Sequence, residues 1–580
     1  MGKNKKTGEN TVKNSVHKKK NSDESMYDAV EKTGEKYHDV YAYKYMGTTV
    51  NYKRFLKQIT DCAKALKALG VRRGDRVTIC LPDIPQAVIM FYAINAIGAV
   101  SCLIHPLSAE NEINFYLTDS KSSVCIALDD NLGRFSSAWE TTRLKKLIVT
   151  RASEMMSFSH KLVYRISEIR SFEYSSAGEN NIIYWSDFLA SGNTANDFSA
   201  EKCGSDELAC ILYSGGTTGQ TKGVLLSNRN FNALSRQIIS GMTDFKAGDI
   251  ILSAVPYFKG LGLGFCVHTV LSNGGCCIIL PDYEPQRYAK YLMRSKPEYI
   301  VGLPNLFDNL LRLPMLDGAD LSQLKGIFCS GDHLPKELKK RFEYFLRDHN
   351  CNVTVREGYG TTECIALCCL TPEKNPKEGS IGIPLPDMLC KIVKPGTINP
   401  CGTGVEGEIC ISGPTVMSGY LGRKDETADT LKRHKDNKLW LHTGDLGMID
   451  SEGYLFFRHR IKRLIISYGY SIYASQVEKI LCNNNSVKKC AVIGIPDKKA
   501  RQLVKAFIVL KDSSNNNDET KKKIIDYCKA NLTKYATPKE IEFIESLPVT
   551  ISGSVDYREL ERREALAREE KEGAERFGKN

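Results

Sequence analysis

The sequence predicts an α/β fold: a large N-terminal domain of α/β layers carrying a β-rich subdomain, then a small C-terminal α+β domain. Three observations predict it. A chain of 580 residues is too long for one core and divides into about two to four domains. From Val50 to about Asp450, strand-like runs alternate with helical patterns, as layered sheets covered by helices require. After "RHRIKR" the texture changes to two long strand patterns and a helix, a unit of roughly 100 residues.

The elements follow in order. Met1 to Lys20 holds seven lysines against one Glu and almost nothing apolar, so residues 1–24 are expected to form a disordered basic arm. The arm lacks the apolar core of a secretory signal. Gly2 invites lipidation, but Lys6 stands where that pattern wants Ser or Thr. The strand candidates are "RVTICLP", "AVSCLIHP", "SVCIALDD", "KKLIVT", "ACILYSG", "GDIILSAVP" and "CCIILP". The apolar run Ala87 to Ile104 approaches membrane-spanning length, but Asn95 and Gly98 divide it into a buried helix and a strand. No transmembrane segment is expected. The Gly-, Pro- and Glu-rich stretch from "GSIGIPLPD" to "GPTVMSGYLG" reads as short strands and turns, the β-rich subdomain. "VKKCAVIGI", "LVKAFIVLK" and "EIEFIE" are strands, with "DETKKKIIDYCKANL" as a helix among them.

Composition narrows the function classes. With 42% hydrophobic and 26% charged residues, the chain reads as a globular protein. Its net charge of +12 is moderate and partly concentrated in the arm, so nucleic acid is not expected as a partner; peripheral membrane contact through the arm stays open. Twenty cysteines contain no C-x-x-C pair and lie mostly in apolar runs, which points to buried thiols in a reducing, cytoplasmic compartment and not to zinc ligands or disulfides. Cys364 and Cys368 could share a helical face, but no His or third Cys completes a metal set there. Nothing in the sequence sets an oligomeric state.

The chemistry concentrates in "ILYSGGTTGQTKGVLLSNRN". A strand runs into a loop of three glycines and three hydroxyls, then Lys222. Glycines admit backbone N–H groups to an anion, hydroxyls donate to phosphate oxygens, and lysine adds a point charge. The loop is no Walker motif, because Thr221 and not Gly precedes the lysine. "GYGTTE" sets a ring, two hydroxyls and a carboxylate within six residues, and "LHTGDLGMID" presents Asp445 after a turn glycine. Taken alone, Asp445 also reads as a turn cap and Glu363 as a solvated helix start.

In this order, with "LGVRRGDRVTICLPD", "HPLSAENEI", "VPYFKGLGLG", "SGDHLP", "EGEICISGP", "HRIKRLIISYGY" and "LPVTISGS", the series resembles the adenylate-forming (AMP-binding) superfamily of acyl- and aryl-CoA synthetases, from roughly Val50 to Leu560. The resemblance implies that Ser214, Gly216, Thr217, Thr218, Gly219 and Lys222 cradle the ATP phosphates. Gly331, Asp332, Gly358 and Tyr359 would hold adenine, Thr362 would touch the α-phosphate, and Glu363 would bind Mg²⁺. Asp445 would take the ribose hydroxyls with Arg460 beside it. Lys462 would be the hinge about which a mobile C-terminal domain turns, and Tyr468 and Gly469 would approach a thiol acceptor. Thr218, Thr362, Glu363 and Arg460 carry the catalytic expectation; ATP, Mg²⁺ and coenzyme A are the cofactors, and a small-molecule carboxylic acid is the partner. The implied divisions are 1–24 (arm), 25–458 (N-terminal domain), 459–463 (hinge), 464–565 (mobile domain) and 566–580 (charged tail).

Four positions leave the family pattern. Ser554 follows Gly553 where the family carries a lysine, Gly215 replaces a usual Ser, Thr221 a usual Pro, and Lys259 a common His beside the acyl pocket. Losing one preorganised cation typically costs about 10²–10³ in rate. The implied activity is an ATP-dependent acid–thiol ligase acting on a fatty or aryl acid, with adenylation weakened at Ser554. The alternatives are a non-catalytic nucleotide-binding relative, or a half-enzyme competent only in thioester formation.

Overall fold

The computed structural model describes residues 12–13, 23–167, 181–194, 198–214, 221–460, 464–467, 470–497, 500–532, 534–549 and 555–577. Of the residues singled out above, Gly215, Gly216, Thr217, Thr218, Gly219, Lys462, Tyr468, Gly469, Gly553 and Ser554 lie outside the described residues.

Two sheets carry the layered region. An eight-stranded sheet runs in the order Gly419–Tyr420, Lys222–Ser227, Leu208–Ser214, Val100–Leu103, Arg76–Cys80, Val124–Leu128, Lys146–Thr150, Ile182–Tyr184. From Leu208–Ser214 onward its pairings are parallel. A nine-stranded sheet contains a parallel run through Val355–Tyr359, Gly326–Ser330, Tyr299–Gly302, Ile250–Ser253 and Cys276–Ile278. Such strands are apolar on both faces because helices cover both. The strand candidates read from the sequence all form.

The apolar run at Ala87 resolves as expected. Helix Pro85–Ala96 has every residue buried, Gly98 turns the chain at φ +68°, and Val100–Leu103 enters the sheet. Asn95 is tolerated inside because it accepts from the Tyr27 N–H at 2.9 Å and donates to Asn228 at 2.9 Å, so its burial leaves no orphan polar group. Among the described residues no helix is long and apolar enough to cross a membrane.

The β-rich subdomain is an antiparallel sheet built on Leu389–Val393, Gly407–Ser412, Leu439–Ile449 and Leu455–Arg460. The small C-terminal unit is a separate sheet, with Val487–Asp497 and Arg501–Leu510 paired along their length and Glu540–Phe543 parallel to the latter. Helix Asp518–Asn531 covers it through the buried Ile524 and Cys528.

Val12–Lys13, within the basic arm, pair antiparallel with Cys390 and Leu389. Helix Tyr557–Phe577 spans position 565, with Glu564 buried and Arg568 reaching Glu564 and Glu540. One expectation needs correction. Cys364 and Cys368 share no helical face, because the short turn Thr362–Cys364 is ended by Ile365 at φ +56° and Ala366 at φ +96°. Eighteen of the twenty cysteines are buried, which accounts for their apolar setting.

Candidate functional site

Adjacent parallel strands end together here. Ser330 and Gly358 are register partners, so Gly331–Asp332 and Gly360, just after Tyr359, leave the sheet side by side at its carboxyl edge, where open α/β sheets bind ligands. Gly331 turns at φ +93°. A Cβ on Gly360 would stand 2.2 Å from the Ala366 carbonyl oxygen, so the Gly358–Glu363 segment folds back on itself only with glycine there. The positive φ of Ile365 and Ala366 stores backbone strain beside the same segment.

Tyr359 points across to the β-rich subdomain. Its hydroxyl donates to Asp445 Oδ2 at 2.8 Å, and its ring lies 6.1 Å from that of Phe457. Arg460 Nε stands 3.3 Å from Asp445 Oδ1. Asp445 and Arg460 face one another because they are partners between strands Leu439–Ile449 and Leu455–Arg460. The turn before Asp445 is fixed twice: Gly444 takes φ +71° and its N–H donates to Glu408, while Thr443 Oγ1 accepts from the Asp445 N–H. Asp445 is 2% exposed, and burial holds its carboxyl above the usual range, opposed by the Arg460 charge and the Tyr359 hydroxyl. Burial likewise pushes the Tyr359 phenol well up.

A second cluster lies within electrostatic reach of the first. Glu363 Oε1 accepts from the Tyr420 hydroxyl at 2.8 Å, and the Lys222 ammonium lies 4.8 Å over the Tyr420 ring. Lys222 pairs with Glu426, which Arg423 also approaches at 3.4 Å. Ser214 is the register partner of Lys222, so both ends of the Gly/Thr loop meet at this cluster. The Glu363 charge reaches Asp445.

A third group sits at the buried segment Leu261–Thr269, whose Gly264 packs on Ile365. His105 packs edge-on against Phe258 at 4.4 Å, and burial with the Lys259 and Arg134 charges pushes its imidazole down to about 4. Lys259 is half-buried; desolvation lowers its ammonium while Asp332 opposes that. Asp83 receives the Tyr257 N–H at 2.8 Å, and desolvation pushes its carboxyl up to about 8.

The structure thus brings Tyr359, Asp445 and Arg460 together, joins Lys222 and Glu363 through Tyr420 with Ser214 paired to Lys222, and sets Gly331 and Asp332 after the strand neighbouring Gly358 and Tyr359. Sequence reasoning missed Tyr420, Glu426, Glu408, His105 and Asp83. Asp83, His105 and Glu408 lie within motifs of the resemblance, but their roles were not legible there because each acts through a partner far along the chain.

Comparisons with known proteins agree on one family. The model of AMP-binding enzymes matches residues 30–421, and that of the AMP-binding enzyme C-terminal domain matches residues 476–554. A long-chain-fatty-acid–CoA ligase of Bacillus subtilis (strain 168) is 30% identical over 528 residues, covering 90% of this chain and 92% of that protein. An anthranilate CoA ligase solved with anthranoyl-AMP superposes with a TM-score of 0.76 at 21% identity, covering 94% of this chain and 98% of its own. ATP-bound MatB from Rhodopseudomonas palustris gives a TM-score of 0.78 at 22% identity, over 93% and 99%.

Proposed function

The chain belongs to the family of AMP-binding enzymes, and from that premise we propose that it is an ATP-dependent acid–thiol ligase for a fatty or aryl carboxylic acid. The observation that carries this reading is the buried Asp445 held between Tyr359 and Arg460, with the Glu363–Tyr420–Lys222 cluster beside it. A buried carboxylate with lone pairs to spare suits the two ribose hydroxyls of a nucleotide, and Gly331, Asp332 and Gly358 border the adenine. Lys222, Ser214 and the loop between them, Gly216 to Gly219, take the phosphates; Lys222 then exchanges Glu426 for a phosphate oxygen.

Two steps follow. A carboxylate oxygen attacks the α-phosphorus, the bond to the bridging β-phosphate oxygen breaks, and pyrophosphate leaves. The coenzyme A sulfur then attacks the acyl carbon, AMP leaves, and the thiol proton passes to solvent. Thr362 and Arg460 orient the α-phosphate and oppose its growing charge; Thr218 does so from the loop. Glu363 fits Mg²⁺ as one hard oxygen ligand, its Oε1 already oriented by Tyr420, and the ion when bound neutralises phosphate charge. The acid enters beside Lys259, His105 and Asp83, where a distal polar group would meet Lys259. On this reading residues 25–458 form the nucleotide domain, and residues 464–565 turn about 459–463 at Lys462 to bring Tyr468 and Gly469 to the thiol. The compartment is reducing and cytoplasmic, as buried thiols suit.

Ser554 favours a second reading, a half-enzyme that forms thioester but adenylates poorly. One experiment separates them. The chain is incubated with ATP, Mg²⁺ and a panel of fatty and aryl acids while pyrophosphate is measured; premade acyl-adenylate and coenzyme A are then supplied. Activity in both parts is expected of the ligase, and thioester formation alone identifies the half-enzyme. Silence in both, with ATP still bound, refutes an enzyme. Ser554→Lys is expected to raise pyrophosphate release by about 10²–10³.

A further inference from the structure

The β-rich subdomain holds a cluster that the ligase reading does not use. Cys410 and His442 are register partners across strands Gly407–Ser412 and Leu439–Ile449, so their side chains share one face of the sheet. His434 stands at the turn that follows Leu431–Arg433 and reaches the same face. All three are buried, and a thiol sulfur and two imidazole nitrogens lie within 4.8 Å of one another. His434 Nε2 is 2.9 Å from His442 Nε2.

Glu408, two residues before Cys410 and on the same face, fixes the chemistry of this group. Its Oε2 accepts from His442 Nδ1 at 2.8 Å, which puts that imidazole's proton on Nδ1 and turns the Nε2 lone pair toward His434 and Cys410. A carboxylate orienting an imidazole in this way is the outer half of a metal-binding triad. With that proton on His442 Nδ1, His434 Nε2 is the donor in the short contact between the two rings, and His434 Nδ1 is buried with no hydrogen-bond partner among the described residues. Nearby charge is mixed: Lys391 lies 3.9 Å over the Trp440 ring and 3.8 Å from Asp436, Lys432 also acts on Cys410 and His434, and Glu408, Asp436 and a Cys410 thiolate supply the opposing charge.

We propose that Cys410, His434 and His442 form a zinc site, oriented by Glu408, that braces the strand leading to Asp445. Binding exchanges the Cys410 thiol proton, released to solvent, for a zinc–sulfur bond; His442 gives its Nε2 lone pair, and the His434 proton passes from Nε2 to Nδ1 so that its Nε2 gives the other. Tetrahedral zinc with Zn–N bonds of about 2.0–2.1 Å separates two imidazole nitrogens by roughly 3.4 Å, so the His pair opens by about half an ångström. The turn carrying His434 supplies that movement. The link to the nucleotide site is short, because the second oxygen of Glu408 accepts from the Gly444 N–H at 3.1 Å, next to Asp445. Three protein ligands leave a fourth position for water.

The test uses the full chain, stripped with a chelator and titrated with Zn²⁺ and, separately, Co²⁺. Expected are one equivalent of zinc, a raised unfolding temperature, and a cobalt spectrum with a thiolate charge-transfer band and tetrahedral d–d bands. Cys410→Ser removes the charge-transfer band, and Glu408→Gln weakens zinc about 10- to 100-fold. An unaltered cobalt spectrum in Cys410→Ser places the metal on other thiols and overturns the proposal, as does no binding at all. Should that variant fail to fold, X-ray absorption of the zinc-loaded wild type decides. One sulfur at about 2.3 Å with nitrogens at about 2.0–2.1 Å supports the site, and an all-sulfur or all-oxygen shell refutes it.

Discussion

Replacing Tyr359 with Phe removes one oxygen and leaves the ring, its packing on Phe457 and any stacking on a base. What goes is the 2.8 Å hydrogen bond to Asp445 Oδ2. Hydrogen bonds to a charged group contribute about 1.5–3 kcal/mol, and at 2% exposure water cannot replace the lost donor. Carried into nucleotide affinity, that is a rise in Kd of roughly 10- to 150-fold. Arg460 is the other support of Asp445, and its charge is the larger influence holding the carboxyl down. Its side chain is 51% exposed, however, so salt screens it and leaves about 0–1 kcal/mol. Arg460→Gln should therefore weaken ATP binding mainly at low ionic strength, and Tyr359→Phe at every ionic strength.

The pH dependence gives an independent check. Burial already raises the Asp445 carboxyl above its ordinary 3.8, so the folded chain holds that proton to higher pH than the unfolded chain does. Stability from this group therefore falls as pH rises from the ordinary value to the raised one. Ribose hydroxyls donate to the ionised form, so nucleotide binding is lost as pH falls through the raised value. Deleting the Tyr359 donor raises it further, and the acid limb of binding moves to higher pH in Tyr359→Phe. Calorimetric titration of ATP across acidic to neutral pH measures both effects. A folded Tyr359→Phe protein with unchanged affinity and an unmoved acid limb would refute the assignment of Asp445 as the ribose carboxylate.

Two further outcomes are expected. Glu363→Gln should abolish the Mg²⁺ dependence of ATP binding, whereas Tyr420→Phe, which only frees Glu363, should keep that dependence with a weaker response to Mg²⁺; equal loss in both would give Tyr420 the ligand role. Gly360→Ala drives a Cβ to 2.2 Å from a backbone oxygen that cannot turn away, so it should cost about 1–3 kcal/mol or more and lower the unfolding temperature; an unchanged melt would show that the segment relaxes freely.

How much of this was legible beforehand depends on where the information lies. Strands such as Arg76–Cys80 and Leu208–Ser214 were readable because an apolar run with β-branched residues has few other stable fates. Asp445 and Glu363 were readable because the resemblance assigns them roles within short, ordered motifs. The partners were not. Tyr420 meets Glu363 from 57 positions away and Glu408 meets His442 from 34, pairings that exist only once the sheets close. The same reason hid the Cys410–His434–His442 cluster, since a search for C-x-x-C spacing cannot see ligands supplied by neighbouring antiparallel strands. Lys259, which stands where the family commonly carries a His, is half-buried, and its charge acts on Asp332 and His105.

On the proposed reading Ser554 bears on which half-reactions the chain performs, and the described residues flanking it bear on that point. Val549 and Val555 pair as an isolated bridge, and the Asp556 N–H donates to the Pro548 carbonyl at 2.7 Å. On either side Leu547 and Leu560 are buried in one cluster with Ile493, Ile495 and Phe507, under the helix that begins at Tyr557. These contacts fix the chain on either side of residue 554. Any adenylation deficit from Ser554 is then local chemistry, a missing cation on an intact mount, and not a failure of folding. A lysine at position 554 should act without altering the unfolding temperature. If Ser554→Lys shifts stability instead of pyrophosphate release, the stem has changed with the tip, and the nucleotide site would have diverged in more than one place.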